Sequence, residues 1–482
     1  MGRWLVVAGI VFAILCVVLS VQRGDDQELQ RLKNRESAKR TEQQSKGLHQ
    51  ASDLNQLRLE GRGQTVPPHL RMGRYPGNAW YVEDSTTGAR ANVPFKPGTV
   101  VSGPPEIEPV NTNPGFVGAQ KCESCHREKY DSFIHTAHFR TSRIATPDQV
   151  AGHFESGRNE LQTSLADVSF SMAADDDGMW QRASFFGWQF ETPIDLVFGS
   201  SKMGESHVFW NNEKLFQANC SYLTASDQWI NSPGFTDGHA TYDRPILPGC
   251  IECHTTYVDV RKMPNHYTPQ TLILGVSCER CHGPAQQHVE FHETHPDEKQ
   301  SRFMSVPSAL SRQQQLDVCG QCHSSNKRLN DRPAFQFRPG DRLEDHYDFY
   351  EPDQGEANEV HTSNQSARLA RSVCFQESEM GCVECHNPHR NERGDMPLFS
   401  KRCLKCHQTD QCGMADDMGP SLADNCIDCH MPLRAGSLFS ESAAGRIFPP
   451  LRDHHVRIDE QATRAFLETR RKENATKART NN

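Results

Sequence analysis

One pentapeptide pattern, C-x-x-C-H, recurs seven times in this chain of 482 residues and limits its folding more than any other feature. It reads CESCH from Cys122, CIECH from Cys250, CERCH from Cys278, CGQCH from Cys319, CVECH from Cys382, CLKCH from Cys403 and CIDCH from Cys426. At the chain's own cysteine and histidine content, chance would supply about 0.03 copies, so the repetition is not a by-product of composition. Fourteen of the 18 cysteines belong to it. A zinc ribbon needs paired C-x-x-C units or distant histidines, and has no use for a histidine directly after every second cysteine. Covalent haem does: two thiols fix the porphyrin edge, and the adjacent imidazole meets the iron from one face. The expected cofactor is therefore seven covalently bound haem c. Its attachment cysteines are Cys122, Cys125, Cys250, Cys253, Cys278, Cys281, Cys319, Cys322, Cys382, Cys385, Cys403, Cys406, Cys426 and Cys429. The proximal iron ligands are His126, His254, His282, His323, His386, His407 and His430.

Only 36% of the chain is hydrophobic and 8% aromatic, which is lean for one large protein core. Seven buried macrocycles would supply the missing apolar volume. The expected fold is accordingly mainly α, with short helices and few other regular elements round a haem-stacked core, a small β-hairpin insertion and an N-terminal transmembrane helix. The formal charge of −9 makes nucleic acid an unsuitable partner.

Residues 4–21, WLVVAGIVFAILCVVLSV, carry no charge, follow Arg3 and are long enough to cross or nearly cross a bilayer. With no A-x-A arrangement before Gln22, they predict an uncleaved signal anchor over 1–22, the body lying on the periplasmic face of the inner membrane. Residues 23–114 read as a tether, polar at first and then rich in proline and glycine, as an extended arm or a flexible spacer. The body spans 115–456. Within it, 155–245 reads as β-rich, because VSFSMAADDDGMWQRASF alternates around an Asp-Gly turn and SHVFWNNEKLFQANCSYL around Asn-Asn-Glu-Lys. Residues 457–482 form a basic polar tail.

Sixteen histidines lie outside the motifs. His288, in CHGPAQQH, and His389, in CHNPH, stand too near their own proximal ligands to wrap round the ring, so each should reach a neighbouring iron and force two haems together. His135 and His138 lie one helical turn apart, so one of them binds, with His138 preferred; His454 is preferred over His455 in the same way. His239 and His361 complete the expected set, in competition with His207, His266 and His346. His292 and His295 share the helical face of His288 and are its reserves.

The stretches GAQKCESCHREKYDSFIHTAHFR, RPILPGCIECH, CERCHGPAQQH, GCVECHNPH, KRCLKCH and CIDCHMP occur in an ordered series between Gly115 and Val456. In that series the body resembles the exported multihaem cytochromes related to tetrahaem cytochrome c-554 and, more remotely, to nitrite reductase and hydroxylamine oxidoreductase. The resemblance implies a mostly helical haem-stacking fold, distal roles for His138, His288, His389 and His454, and electron transfer. The chain lacks the C-x-x-C-K motif of the catalytic haem common in the nitrite reductases, and it shows no identifiable cross-linking tyrosine of the hydroxylamine oxidoreductase kind.

Two functional readings follow. In the first, a membrane-tethered periplasmic cytochrome relays electrons through mostly two-histidine haems to or from redox partners, such as a membrane quinol oxidase or other cytochromes. In the second, an oxidoreductase acts on a small nitrogen or sulfur compound at one open haem. Cys374 and Cys412 flank two close motifs and could be bridged in an exported domain, while Cys220 stands alone in the β-rich segment.

Overall fold

The computed structural model describes residues 66–75, 80–93, 101, 103–107, 113–261, 263–349, 360–436 and 440–480. With about 29% helix and 27% strand, the fold is not mainly α. The correction comes from residues 66–274, where strands dominate. β1 (Leu70–Arg74), β2 (Trp80–Asp84) and β3 (Arg90–Val93) form one antiparallel sheet. A second has the order β5-β6-β7-β8, from β5 (Glu160–Gln162), β6 (Val168–Asp175), β7 (Gly178–Phe185) and β8 (Trp188–Pro193). The third has the order β12-β11-β10-β9-β4, from β4 (Ser142–Ile144), β9 (Leu196–Phe198), β10 (Gly204–Asn211), β11 (Lys214–Leu223) and β12 (Gln228–Asn231).

These strands follow from the residue pattern. In β6, Val168, Phe170 and Met172 are buried while the intervening residues are not, which is the period of a half-buried strand. Asp175 accepts from the Asp177 N–H and the Trp180 indole, both at 3.0 Å, and closes the β6–β7 turn. The β10–β11 turn holds Asn212 at φ 55°, a left-handed position that asparagine tolerates better than most side chains.

The segment read as a Pro-rich arm is also folded. Leu70, Val82, Ala91, Val93 and Val101 join Val168, Phe170, Phe185, Trp188, Phe209 and Tyr242 in one buried cluster. The prolines and glycines there separate short strands. A second cluster joins Leu196, Phe198, Val208, Trp210 and Leu215 of the five-stranded sheet to Ile246, Ile251, Tyr257, Tyr267 and Phe335. Ile251 lies inside the second C-x-x-C-H motif, so the sheet seats that motif directly.

The protein core is thus concentrated in the β half, where most of the aromatic side chains gather. From Val360 onward only Val360, Met418, Leu422 and Ile427 are buried hydrophobic residues among those described. That half is built from short helices, turns and small two-stranded sheets, and Glu460–Thr480 forms a terminal helix of 21 residues.

The expected transmembrane helix over 1–22 and the first part of the tether lie outside the described residues. The anchor receives no support: among the described residues, no helix is long and apolar enough to cross a membrane.

Candidate functional site

Each C-x-x-C-H motif forms one helical turn. The His126 N–H donates to the Cys122 carbonyl at 2.8 Å, His386 to Cys382 at 3.0 Å, His407 to Cys403 at 3.1 Å and His430 to Cys426 at 3.1 Å. The second, third and fourth motifs lie in the helices Pro248–His254, Cys278–His282 and Arg312–His323. The last of these is started by a Ser311/Gln314 capping box. A helical turn puts residues i, i+3 and i+4 on one face, so both thiols and the imidazole of each motif point the same way.

All seven faces open onto one continuous cavity of 3610 Å³. Divided among seven motifs this is roughly 500 Å³ each, within the ordinary range of a small-molecule site. Its wall also carries His138, His288, His361, His389 and His454.

Four of these histidines stand opposite a motif histidine. His126 faces His288 with ring centroids 6.4 Å apart and 22° between planes. His282 faces His389 at 6.1 Å and 23°, and His386 faces His454 at 5.9 Å and 27°. His323 faces His138 at 6.2 Å but 70°. Two imidazoles that bind one metal ion from opposite sides need about 2.0–2.1 Å per metal–nitrogen bond plus the ring radii, roughly 6 Å between centres. Each pair joins two parts of the chain: His288 follows the third motif and faces the first, and His389 follows the fifth and faces the third.

Backbone carbonyls orient the rings. Nδ1 of His282 is 2.9 Å from the Ser305 oxygen, that of His323 2.8 Å from Thr362, that of His430 3.0 Å from Arg457 and that of His254 3.2 Å from Thr141. Among the facing histidines, Nδ1 of His288 lies 2.9 Å from the Arg302 oxygen and that of His454 3.3 Å from Arg452. A ring that donates from Nδ1 presents the Nε2 lone pair to a metal. Burial pushes His138 and His454 down to about 4, and also lowers His126, His254, His386 and His389, so these rings are neutral, as ligation requires. The thiols, the oriented rings and the cavity fit covalent haem.

The remaining histidines differ. His239 sits in the β half, where its Nδ1 accepts from the Asn92 N–H at 3.2 Å, and the structure brings it to no motif. His361 lines the cavity, yet its Nδ1 accepts from the Ser363 N–H at 3.0 Å, as the cap of a short helical turn. His207 is fully buried beside Gln181 and Trp229. His135 is exposed outside the cavity wall, whereas His455 lines it. His292 lies 4.5 Å from His288, and His295 stacks on Phe291 at 4.3 Å. Cys374, Cys412 and Cys220 are free thiols.

Motif meets motif through direct contacts. The Cys122 side chain neighbours that of Cys278, Cys253 that of Cys322, Cys319 that of Cys382 and Cys403 that of Cys426. Gln321 Nε2 donates to the Arg280 carbonyl at 3.2 Å, joining the fourth motif to the third. Arg402 donates to the Cys385 carbonyl at 2.7 Å, joining the sixth to the fifth.

Sequence reasoning missed a buried clamp next to His454. Arg368 Nε and Nη2 donate to the two Asp453 oxygens at 2.9 and 2.7 Å, Arg457 donates to Asp453 at 2.8 Å, and the His455 N–H donates to it at 3.0 Å. The one local signal was an aspartate directly before the His-His pair.

Helical C-x-x-C-H turns gathered round a common cavity, with imidazoles facing across it, define a c-type cytochrome with several haems. The family described as "Cytochrome c554 and c-prime" matches residues 205–283, which hold the second and third motifs. "Multiheme cytochrome MtrA" of Shewanella baltica (strain OS185) is 26% identical over 220 residues, 43% of this chain and 59% of that protein's length. The solved structure "Crystal Structure of Outer Cell Wall Cytochrome OcwA" aligns over 73% of this chain and 81% of its own, with a TM-score of 0.46 and 15% identity. The chain is thus similar, over part of its length, to multihaem cytochromes c.

Proposed function

We propose that this protein is an exported electron relay that carries seven haem c groups, one on each C-x-x-C-H turn. The observation that carries the reading is the set of four imidazole pairs, each 5.9–6.4 Å between centroids across the shared cavity. Haem c supplies a one-electron couple, and two-histidine ligation keeps it low-spin at lower potentials than a His/Met pair. The chain's own part is to hold the attachment sites close and in order. Contacts between motifs run from the first to the third, fourth, fifth, sixth and seventh, with the second joined at the fourth. Such a series suits exchange of electrons between protein partners at different faces, and export agrees with covalent attachment of the cofactor outside the cytoplasm. Low-temperature electron paramagnetic resonance of the ferric protein tests the reading: four or more low-spin irons support it, and a spectrum dominated by high-spin iron refutes it.

One site favours a second reading. His254 stacks on Phe198 at 5.0 Å and 8°, and the cavity wall contributed by the adjoining sheet consists of residues such as Ser206, Val208 and Gln217, not of an imidazole. An iron held there would keep one face open to a small nitrogen or sulfur compound. Cyanide binding that disappears in a Cys250→Ser/Cys253→Ser variant supports this reading; a ferric protein that binds no cyanide refutes it.

A further inference from the structure

One carboxylate inside the third motif holds three segments of the chain together. Glu279, the residue after Cys278, is 2% exposed. Its Oε1 accepts from the Val117 N–H at 2.9 Å and from the Ala285 N–H at 3.0 Å, and its Oε2 accepts from the Gly118 N–H at 2.8 Å. Burying a carboxylate is costly unless its oxygens are hydrogen-bonded, and these three N–H groups meet that demand. Haem attachment itself asks nothing of this position. In the first motif it holds Glu123, which is part-exposed and pairs with Arg127 at 2.9 Å, and other motifs fill it with Ile251, Gly320 or Val383.

The segments that Glu279 joins are the two that lead to the ligands of the first iron. Val117 and Gly118 run into Ala119, the N-cap of the helix Gln120–Glu123, which opens the first motif. Their loop is fixed on its other side by Phe116, which is buried and stacks on Tyr257 at 4.9 Å and 19°. Ala285 is the N-cap of the helix Gln286–Thr294, which carries His288 in its first turn. The Gln286 N–H adds a bond to the Gly115 carbonyl at 3.0 Å. The chain before His126 and the chain before His288 therefore meet on one side chain, and the rings they carry stand 6.4 Å apart with 22° between planes.

We propose that Glu279 is a positioning residue for the first iron: from within the third motif it holds His126 and His288 in facing register and fixes the first haem against the third. Electron transfer slows exponentially with separation, so one rigid carboxylate shared by two sites keeps the step between them constant. The proposal rests on the relay reading above and adds to it the residue that sets one junction of the series.

The test compares the holoprotein with its Glu279→Gln and Glu279→Asp variants, with haem content checked by pyridine haemochrome. Glu279→Gln keeps the size but sets an amide N–H₂ against at least one of the three N–H donors; Glu279→Asp keeps the charge but is one methylene too short to span all three. The low-spin resonance that disappears in His288→Met identifies the first iron. That resonance should shift in both variants while the other low-spin signals stay. Amide exchange of the segments 115–118 and 285–288, read by mass spectrometry, should be slow in the parent and about tenfold faster in both variants, the effect of one lost buried hydrogen bond. An unmoved resonance in Glu279→Gln, a parent-like resonance in Glu279→Asp alone, or an equal change in every low-spin signal overturns the proposal. So does a His288→Met variant that retains every resonance. Should a variant fail to retain its haems, the parent decides: fast exchange of either segment there overturns the proposal. A parent without haem c would instead overturn the relay reading itself.

Discussion

Replacing Asp453 with Asn should loosen two haem sites at once. The Asp453 and Arg368 side chains are 0% and 6% exposed, and their two-point contact at 2.9 and 2.7 Å ties the segment 453–457 to the helix Gln365–Ala370. That segment carries His454, which faces His386, and the Arg457 carbonyl, which accepts from His430 Nδ1 at 3.0 Å. Removing one charge of a buried pair leaves the other without its partner, at a cost of about 3–5 kcal/mol. For a cooperative unit of this size that corresponds to a fall in Tm of about 5 °C. Thermal loss of the Soret circular dichroism measures the stability, and the ferric resonance spectrum measures the ligation. We expect a lower Tm and an altered low-spin signal from the fifth motif. The double variant Arg368→Met/Asp453→Leu should recover much of the stability, because an apolar pair leaves no buried charge. A change below about 1 kcal/mol with an unaltered spectrum would refute the reasoning.

Three other perturbations probe separate parts of the fold. His288→Met should change the spectrum and potential of one iron while all seven cofactors stay attached; an unchanged visible spectrum would pass the role to His292, 4.5 Å away. Gly275→Ala should destabilise the approach to the third motif by about 1–3 kcal/mol, because φ is +72° and the new methyl would clash with the Phe139 carbonyl oxygen. A denaturation midpoint equal to that of the parent would contradict this strain. Glu205 sets an acid limit in the β half. Burial pushes its carboxyl up, but His207, the Ser201 hydroxyl and the Ala151 N–H pull it down to about 2, and Arg143, itself weakened by burial, lies 2.7 Å away. Because the folded value is depressed, its stabilisation is complete above the unfolded value of about 4.3 and is lost as pH falls towards 2, about 3 kcal/mol in all. Glu205→Gln should flatten the pH dependence of stability in that window, and equal slopes in parent and variant would count against it.

The site was more legible than the fold. A C-x-x-C-H turn is specified by five consecutive residues, so its helical hydrogen bond and shared face follow from local geometry alone. Steric reach also singled out His288 and His389, because a ring so close to its own motif has to turn to another. The pairings themselves were not legible: His138 meets His323 across 185 positions of sequence, and no periodicity encodes such a meeting. Equally non-local is the clamp between Arg368 and Asp453. In the fold, low hydrophobic content was read as a missing protein core, whereas the apolar residues are concentrated in residues 66–274 and build four sheets there. The strands β1–β3 are short and broken by prolines and glycines, so their alternation was hidden, and burial against Val168 and Phe170 completes what local propensity leaves undecided. Asn212 and the Asp-Gly turn could be read because each is a short-range conformational preference.

The central claim is that the seven motifs hold iron and that facing histidines close four of the sites. Crystals of the holoprotein measured at the iron absorption edge test it most directly. The account predicts seven anomalous peaks, four of them midway between His126 and His288, His282 and His389, His323 and His138, and His386 and His454. Peaks that lie away from those midpoints, or fewer than four irons in the cavity, would contradict it.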